Sequence, residues 1–267
     1  LLGIDADPRA IERSRQRLAR FGDQAVLRQS NFESIADVAS DAGFEQVDGV
    51  LMDLGLSSQQ LDDDERGFSF RSNDALDMRF DTSRGIPASE VIATYEESRL
   101  ADVFRRHGEE RHARRIARAI VEARAQARIE TPARLAEVVT KATPRPRSGQ
   151  RRRIHPATRV FQALRIEVNR ELETLPAALA AVLDLLKPDG RLCVISYHSL
   201  EDRIVKRFIA AERRGCSCPP ELPVCVCGKL PRLATVGAQP QLPSEEEVAS
   251  NPRARSAKLR AARRLAA

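Results

Sequence analysis

Short apolar segments alternate with helical patterns near both ends of the sequence, and this alternation constrains the fold more than any other feature. Four apolar runs have the length of buried strands, at residues 1–5, 25–29, 47–51 and 191–197. Asp7 and Pro8 follow the first run and predict a helix with an aspartate cap and a proline at its first position. Strands that alternate with helices usually form parallel βαβ units. The sequence therefore predicts an α/β protein with a largely parallel sheet.

Between residues 83 and 160 the pattern changes to apolar residues at helical spacing and many arginines. Leu100, Val103 and Phe104, for example, share one face of a predicted helix. Pro, Gly and Arg dominate residues 143–154, which predicts a loop. We therefore predict three parts: a first α/β part at 1–82, an all-helical insert at 83–160, and a second α/β part with a basic C-terminal segment at 161–267.

The second α/β part contains two further helix signals. Apolar residues from Phe161 to Leu175 recur at helical spacing and predict one continuous helix. Ser199, followed three residues later by Asp202, predicts the N-cap of another helix. After that helix the sequence predicts mostly loops, ending in a basic segment at residues 251–264.

The formal net charge is +6, and a basic balance favours polyanionic partners. No acidic residue occurs from 145 to 153, so the arginines of this loop are candidates for contact with RNA phosphates: Arg145, Arg147, Arg151, Arg152 and Arg153. Other arginines of the insert are explained equally well by pairing with glutamates or by a solvated helix face. Aromatic residues make up only 4% of the chain, which argues against a platform that stacks single-stranded bases.

Acidic residues follow two of the predicted strands. Asp5 and Asp53 end them, and open α/β sheets bind ligands at the carboxyl ends of their strands. Asp5 is suited to ribose hydroxyls, and Asp53 to an adenine amino group or a cationic reacting centre. A strand-end turn would explain either aspartate alone, but the pair favours a nucleotide cofactor. His198 follows a later strand and is a candidate proton relay, although a lone histidine is more often structural.

Four cysteines lie close together late in the chain: Cys216, Cys218, Cys225 and Cys227. Four thiolates suit tetrahedral zinc, which makes them candidate metal ligands. Only one residue separates the members of each pair, whereas zinc sites usually have two to four. A loop of reduced thiols packed beside prolines is the alternative.

Eight short motifs occur in order along the chain: 3–5, 53–58, 67–71, 76–79, 108–111, 155–159, 199–203 and 251–256. They read Gly-Ile-Asp, Asp-Leu-Gly-Leu-Ser-Ser, Gly-Phe-Ser-Phe-Arg, Leu-Asp-Met-Arg, Gly-Glu-Glu-Arg, His-Pro-Ala-Thr-Arg, Ser-Leu-Glu-Asp-Arg and Asn-Pro-Arg-Ala-Arg-Ser. Together they resemble the bacterial 16S rRNA cytosine-N4 methyltransferases of the RsmH/MraW type.

This resemblance implies a Rossmann-like class I methyltransferase sheet with an inserted all-helical, substrate-binding domain. It also implies S-adenosylmethionine-dependent methylation of N4 of a single cytosine in the decoding region of 16S rRNA. The expected partner is 16S rRNA within the small ribosomal subunit, and the expected location is the cytoplasm. By motif position, the cofactor contacts fall on Asp5, Phe32, Asp53 and Gln60.

The candidate catalytic residues are Asp53, Ser57 and His198. The N4 lone pair of cytosine is delocalised into the ring, so the site must accept a hydrogen bond from the amine and align it with the methyl group.

Members of the family also carry an earlier strand with a Gly-Gly-His loop. We therefore expect the sequence to be truncated at its N-terminus, with a gap left in the sheet.

Two alternatives remain open at this stage. A ribose-binding aspartate also suits an NAD-dependent oxidoreductase, and a basic chain also suits a non-catalytic rRNA-binding or ribosome-assembly protein. The cofactor that raises the melting temperature distinguishes the first alternative. Subunit binding without methyl transfer distinguishes the second.

Overall fold

The computed structural model describes residues 1–144, 154–216, 218–219, 221–222 and 224–266. The chain forms two compact units: an α/β unit, Leu1–Gly55 with Leu172–Ala267, and a helical unit, Leu56–Glu171. The helical unit therefore extends beyond the predicted insert at 83–160 on both sides of the sequence. The assignment of substrate binding to that insert stays a prediction.

The strands are β1 (Leu2–Asp5), β2 (Val26–Gln29), β3 (Val47–Asp53), β4 (Leu186–Ser196), β5 (Leu233–Thr235) and β6 (Lys258–Arg264). The helices of the α/β unit are α1 (Pro8–Leu18), α2 (Ile35–Asp41), α9 (Glu171–Leu185, whose first residue lies in the helical unit), α10 (Ser199–Arg214) and α11 (Glu245–Ser250). Those of the helical unit are α3 (Ser58–Asp62), α4 (Ala88–Thr94), α5 (Glu97–Gly108), α6 (Ala113–Gln126), α7 (Pro132–Ala142) and α8 (Thr158–Asn169). Short 3-10 helices lie at Ala19–Gln24, Phe32–Ser34, Asp64–Arg66 and Pro252–Ser256.

Helix α1 begins as the sequence predicts. The backbone of Asp7 is extended, its side chain accepts a hydrogen bond of 2.9 Å from the N–H of Arg9, and Pro8 follows at the first helical position. An N-cap satisfies one of the donors that a helix leaves unpaired at its start. This cap fixes the point at which the chain leaves β1.

The strands form two sheets. β1 and β2 pair in parallel, and the second sheet has the order β3-β4-β6-β5, with β3 and β4 parallel and β6 antiparallel to both β4 and β5. Within the part of the chain that the structure describes, no strand pairing joins the two sheets. The expectation of a truncated N-terminus with a gap in the sheet stays a prediction. The core of the unit includes Leu179, Val182, Leu192 and Val194 from α9 and β4.

The basic C-terminal segment, predicted as the end of a loop-rich region, contains the central strand β6. The side chains of Arg260 and Ala262 are buried there, and Arg260 forms an ion pair of 2.7 Å with Asp202 of α10. The buried positions alternate along β6, and a neutralised arginine and an alanine at these two positions allow a highly basic sequence to occupy the middle of a sheet.

The helical unit has a core of its own. Leu100 and Phe104 of α5, Ile116 of α6, Leu135 of α7 and Leu164 of α8 are fully buried. Before α4, an irregular segment is tied by polar contacts: the guanidinium of Arg66 donates to the carbonyls of Arg79 and Phe80 at 2.9 and 3.0 Å.

The prediction of one continuous helix from Phe161 to Leu175 is wrong. Helix α8 ends at Asn169, and Arg170 adopts a left-handed conformation with φ 53° before α9 begins. The amide of Asn169 donates to the carbonyl of Met78 and accepts from the N–H of Phe80, both at 2.8 Å. These contacts with a distant segment stabilise a break that the apolar spacing does not reveal.

None of the helices in the described parts of the chain is both long and apolar enough to cross a membrane.

Candidate active site

Three of the predicted cofactor contacts follow the carboxyl ends of strands in the α/β unit. Asp5 ends β1, Phe32 follows β2 at the start of a 3-10 helix, and Asp53 ends β3. The N–H of Asp7 donates to Oδ1 of Asp5 at 2.8 Å, which orients that carboxylate. Carboxylate acceptors and an aromatic ring at these strand ends are the groups that a nucleoside with ribose hydroxyls requires, so the residues fit the expected cofactor.

Asp53 is held by the phenol of Tyr197, a residue that the sequence pattern did not single out. Register places Asp53 beside Ile195 in β4, and Tyr197 follows the end of that strand. The hydroxyl of Tyr197 donates to Oδ1 of Asp53 at 3.0 Å. Oδ2 of Asp53 accepts no hydrogen bond from the residues that the structure describes, so it is available to a ligand.

The pKa values of this pair are shifted in a way that preserves the contact. Partial desolvation raises the pKa of Asp53 above 3.8, against the lowering effect of the hydrogen bond from Tyr197, and the charge of Glu201 raises it further. Burial and the charge of Asp53 raise the pKa of Tyr197 to about 12. The phenol therefore stays protonated at neutral pH and remains a donor, and the carboxylate is a better proton acceptor than an ordinary aspartate.

Glu201 organises the chain around Tyr197. Its carboxylate is 2% exposed and accepts a hydrogen bond of 3.0 Å from the N–H of Tyr197. A second, longer contact of 3.4 Å comes from the N–H of His198. Glu201 therefore fixes the backbone that carries the phenol.

His198 caps α10, which corrects the prediction that Ser199 does so. Nδ1 of His198 accepts from the N–H of Glu201 at 3.4 Å, and its Nε2 lies 3.1 Å from the Glu201 carboxylate, although the alignment there is too poor for a hydrogen bond. With its side chain only 10% exposed, the imidazole has an evident structural role. Its catalytic role stays a prediction.

Ser57 and Gln60 belong to the helical unit, where together they form a capping box at the start of α3. The N–H of Gln60 donates to the hydroxyl of Ser57 at 3.2 Å, and the N–H of Ser57 donates to Oε1 of Gln60 at 2.9 Å. Reciprocal caps of this kind stabilise a short helix. Catalysis by Ser57 and cofactor contact by Gln60 stay predictions.

The five predicted RNA-contacting arginines, Arg145, Arg147, Arg151, Arg152 and Arg153, lie outside the described residues. Another basic group lies at the start of α6: Arg111, Arg114 and Arg115 are exposed and, among the described residues, have no ion-pair partner. Together with Glu110 they line an open pocket with a volume of about 300 Å³. In contrast, Arg118 of the same helix lies 3.7 Å from Glu97.

The structure brings the four predicted metal ligands together. The sulfur of Cys225 lies 3.4 Å from that of Cys216, 3.5 Å from that of Cys227 and 3.9 Å from that of Cys218, and all four sulfurs are within 4.8 Å of one another. The N–H of Cys218 lowers the pKa of the Cys216 thiol, but hydrogen bonds with the other thiols raise it to about 11.

Sequence reasoning gave Tyr197 and Glu201 no role of their own, although the predicted strand at 191–197 contains Tyr197 and the motif at 199–203 contains Glu201. The available signal was a phenol directly after a strand, beside the strand that ends in Asp53. Strand order was needed to use that signal, because only the pairing of β3 with β4 brings the two side chains together.

Parallel strand pairs that end in acidic residues, Asp5 on β1 and Asp53 on β3, define the class of nucleotide-cofactor-binding α/β proteins. The comparisons with known proteins then identify the family. The chain belongs to the MraW methylase family, whose sequence profile matches residues 1–265.

Curated relatives agree with this identification. A protein named ribosomal RNA small subunit methyltransferase H from Thermomicrobium roseum is 50% identical over 266 residues, which are 100% of this chain and 80% of that protein. Proteins of the same name from Syntrophotalea carbinolica (51% over 265 residues, 99% and 84% of the two chains) and Symbiobacterium thermophilum (49% over 267 residues, 100% and 83%) are similarly close.

These findings confirm the predicted family, the Rossmann-like class I methyltransferase fold, the methyltransferase activity and the S-adenosylmethionine cofactor. They do not favour the oxidoreductase or the non-catalytic binding protein.

Proposed function

We propose that this enzyme methylates N4 of one cytosine in the decoding region of 16S rRNA, within the small ribosomal subunit in the cytoplasm. The observation that carries the proposal is the pair of Asp53 and Tyr197 at neighbouring strand ends, with Oδ2 of Asp53 available to an amine donor among the described residues. The names of the relatives support rRNA of the small subunit as the substrate.

S-adenosylmethionine, when bound, supplies an electrophilic methyl group on a sulfonium. We assign its ribose to Asp5 and its adenine surroundings to Phe32, in agreement with their positions after β1 and β2. The target base must leave its stack to reach such a site, as it does in other enzymes that act on bases.

Asp53 positions the nucleophile and then accepts its proton. Oδ2 accepts a hydrogen bond from the N4 amine, which favours a geometry with the lone pair on the reacting side. Transfer of the cofactor's methyl group to N4 would leave the amine cationic, and one N4 proton would then pass to Oδ2 of Asp53. The raised pKa of Asp53 favours this transfer, while the Tyr197 hydroxyl stabilises the orientation of the carboxylate.

We assign substrate binding to the helical unit. Its exposed arginines at the start of α6, with the loop arginines Arg145 to Arg153, supply cations for the RNA backbone. Recognition of RNA by shape and phosphate contacts agrees with the low aromatic content of the chain.

The test is transfer of labelled methyl groups to small subunits that lack the mark, with the product nucleoside identified by mass spectrometry. The wild-type chain should yield N4-methylcytidine at one site. Asp53→Asn should lower the rate at least about 100-fold, because it keeps the shape of the side chain but removes the proton acceptor. Tyr197→Phe should lower it less, because Asp53 keeps its charge.

Asp48→Asn is the matched control. Asp48 lies on the same strand, β3, but is exposed and pairs with Lys187 at 2.9 Å, so this variant should keep full activity. Unchanged transfer by Asp53→Asn, or a methyl group on another atom than N4, would contradict the proposed mechanism. Tight subunit binding by a wild-type chain that transfers nothing would instead favour the binding-protein alternative.

A further inference from the structure

The segment of residues 216–230, which we call the cysteine loop, leaves α10 and returns to the same place. At its start, Gly215 has a φ of 70°, and a Cβ there would lie 2.5 Å from backbone atoms of Leu230 and Pro231. Just beyond its end, the N–H of Arg232 donates to the carbonyl of Glu212 at 2.8 Å, and their side chains form an ion pair of 2.7 Å. The two ends of the loop are therefore held together by backbone contacts.

Among the residues of the cysteine loop that the structure describes, apolar packing does not hold the interior. Its large apolar side chains face solvent, with exposed fractions of 45% for Leu222, 70% for Val224, 77% for Val226 and 74% for Leu230. A segment that orders its backbone must offset the lost conformational entropy by some other interaction. The cysteines are the side chains that converge instead.

The geometry of the four sulfurs fits a tetrahedral ion. Thiolates about 2.3 Å from a central zinc lie about 3.8 Å from one another at the corners of a tetrahedron. The observed separations are 3.4 Å for Cys216 and Cys225, 3.5 Å for Cys225 and Cys227, 3.8 Å for Cys216 and Cys227, and 3.9 Å for Cys218 and Cys225. A disulfide requires about 2.05 Å, so no pair in the described loop is bonded.

We propose that Cys216, Cys218, Cys225 and Cys227 bind one structural zinc ion that closes the cysteine loop between α10 and β5. Four protein ligands leave no open coordination position, so the ion stabilises the loop and takes no part in methyl transfer. A gap of one residue within each pair is compatible with this role, because residues two positions apart share a face of an extended segment. The zinc proposal does not depend on whether the proposed RNA substrate is correct.

The test is the metal content of the full 267-residue chain purified without chelators and with a thiol reductant. Elemental analysis should find about one zinc per chain, and X-ray absorption should find sulfur ligands at about 2.3 Å. Cys225→Ser should lose most of the zinc, because Cys225 contacts all three other thiols. Cys193→Ala is the matched control: this cysteine lies on β4, outside the loop, and the variant should keep its zinc.

A second measurement covers the case in which Cys225→Ser does not fold. The wild-type chain, stripped with a chelator, should take up one Co²⁺ per chain with the visible absorption of a tetrahedral thiolate site. Before metal is restored, the stripped chain should be cleaved by trypsin at Lys229 more readily than the metal-bound chain. Four titratable thiols without bound metal, two disulfides, or iron in place of zinc would each overturn the proposal.

Discussion

In the helical unit, Leu76, Phe104 and Leu164 have no exposed surface, whereas β1 and β2 of the α/β unit, both fully described, contain no buried residue. On β3, at the edge of the second sheet, Leu51 is 67% exposed. The helical unit is thus held by a continuous apolar core. The best-buried part of the α/β unit lies instead around α9, β4 and β6.

Two of the residues assigned to the cofactor, Asp5 and Phe32, therefore lie in a part of the α/β unit with few buried side chains. Asp5 and Phe32 belong to the segment of β1 and β2, which α1 covers through the buried side chain of Ile11. Segments with few buried contacts open at a low free-energy cost, and ligand binding sites are often drawn from them. We therefore expect cofactor binding to stabilise this segment in particular.

The largest expected effect on the free energy of unfolding concerns the buried ion pair between Arg260 and Asp202 in the α/β unit. Arg260→Ala should lower the free energy of unfolding by about 3–5 kcal/mol, because it leaves Asp202 buried beside only Lys258. Arg263→Ala, on the same strand but in an exposed ion pair with Asp189, should cost about 0–1 kcal/mol. Urea denaturation measures both. Equal costs would show that burial of the Asp202 pair contributes nothing.

The same pair predicts an effect of pH. Burial raises the pKa of Asp202, but Arg260 and Lys258 lower it more, so its folded pKa lies below 3.8. Its contribution to stability is present above pH 3.8 and is lost as the pH falls through the folded pKa. The stability difference between wild type and Arg260→Ala should therefore shrink below about pH 4. A difference that is constant down to pH 2 would contradict the electrostatic origin.

A matched pair of leucines sharpens the comparison of the two regions. Leu164→Ala in the helical core should cost about 2–5 kcal/mol, because Leu164 has no exposed surface and its loss leaves a cavity. Leu51→Ala on the exposed edge of β3 should change the free energy of unfolding by less than about 0.5 kcal/mol. Similar losses at both positions would contradict the contrast drawn above, and would indicate that Leu51 is covered in solution.

Hydrogen exchange can break the comparison directly. Backbone amides of β1 and β2 should exchange faster than those of α5 and α8. S-adenosylmethionine at about 100 times its Kd should slow exchange in β1 and β2 by up to about 100-fold, equivalent to about 2.7 kcal/mol. Smaller changes are expected in α5. Equal protection in both regions without cofactor would refute the lower stability of the strand segment.

The smallest expected effect concerns the basic surface of the helical unit. Changing Arg111, Arg114 and Arg115 together to alanine should weaken binding to small subunits. The slope of log affinity against log salt should fall by about 1 for each RNA phosphate that these arginines neutralise in the wild type. Arg128→Ala and Arg134→Ala together are the control, because these exposed arginines pair with glutamates. Equal losses of affinity in both variants would indicate a general charge effect.

Much of the fold could be predicted from local sequence. The strands β1, β2 and β3, the cap of α1 at Asp7 and the start of α10 at Ser199 are found within a few residues of their predicted positions. Each depends on neighbours in the chain, such as an apolar run or a proline after an aspartate, so no tertiary information was needed. The ordered motifs likewise sufficed to predict the family, which the comparisons confirm.

The remaining features depended on partners distant in sequence. The break between α8 and α9 follows from contacts of Asn169 with residues near 80, and the use of Lys258–Arg264 as a strand depends on the neutralisation of Arg260 by Asp202. Neither partner can be inferred from local spacing.

The sequence by itself thus determined the class of fold, the family and the residues that end the strands, because these follow from periodicity and ordered motifs. Only the tertiary structure decided that Tyr197 holds Asp53, that His198 caps α10, and that the four cysteine sulfurs lie within 4.8 Å of one another. The physical reason is the same in each case. Hydrogen bonds and sulfur contacts act over about 3–4 Å, and strand pairing or loop closure alone sets which side chains come within that range.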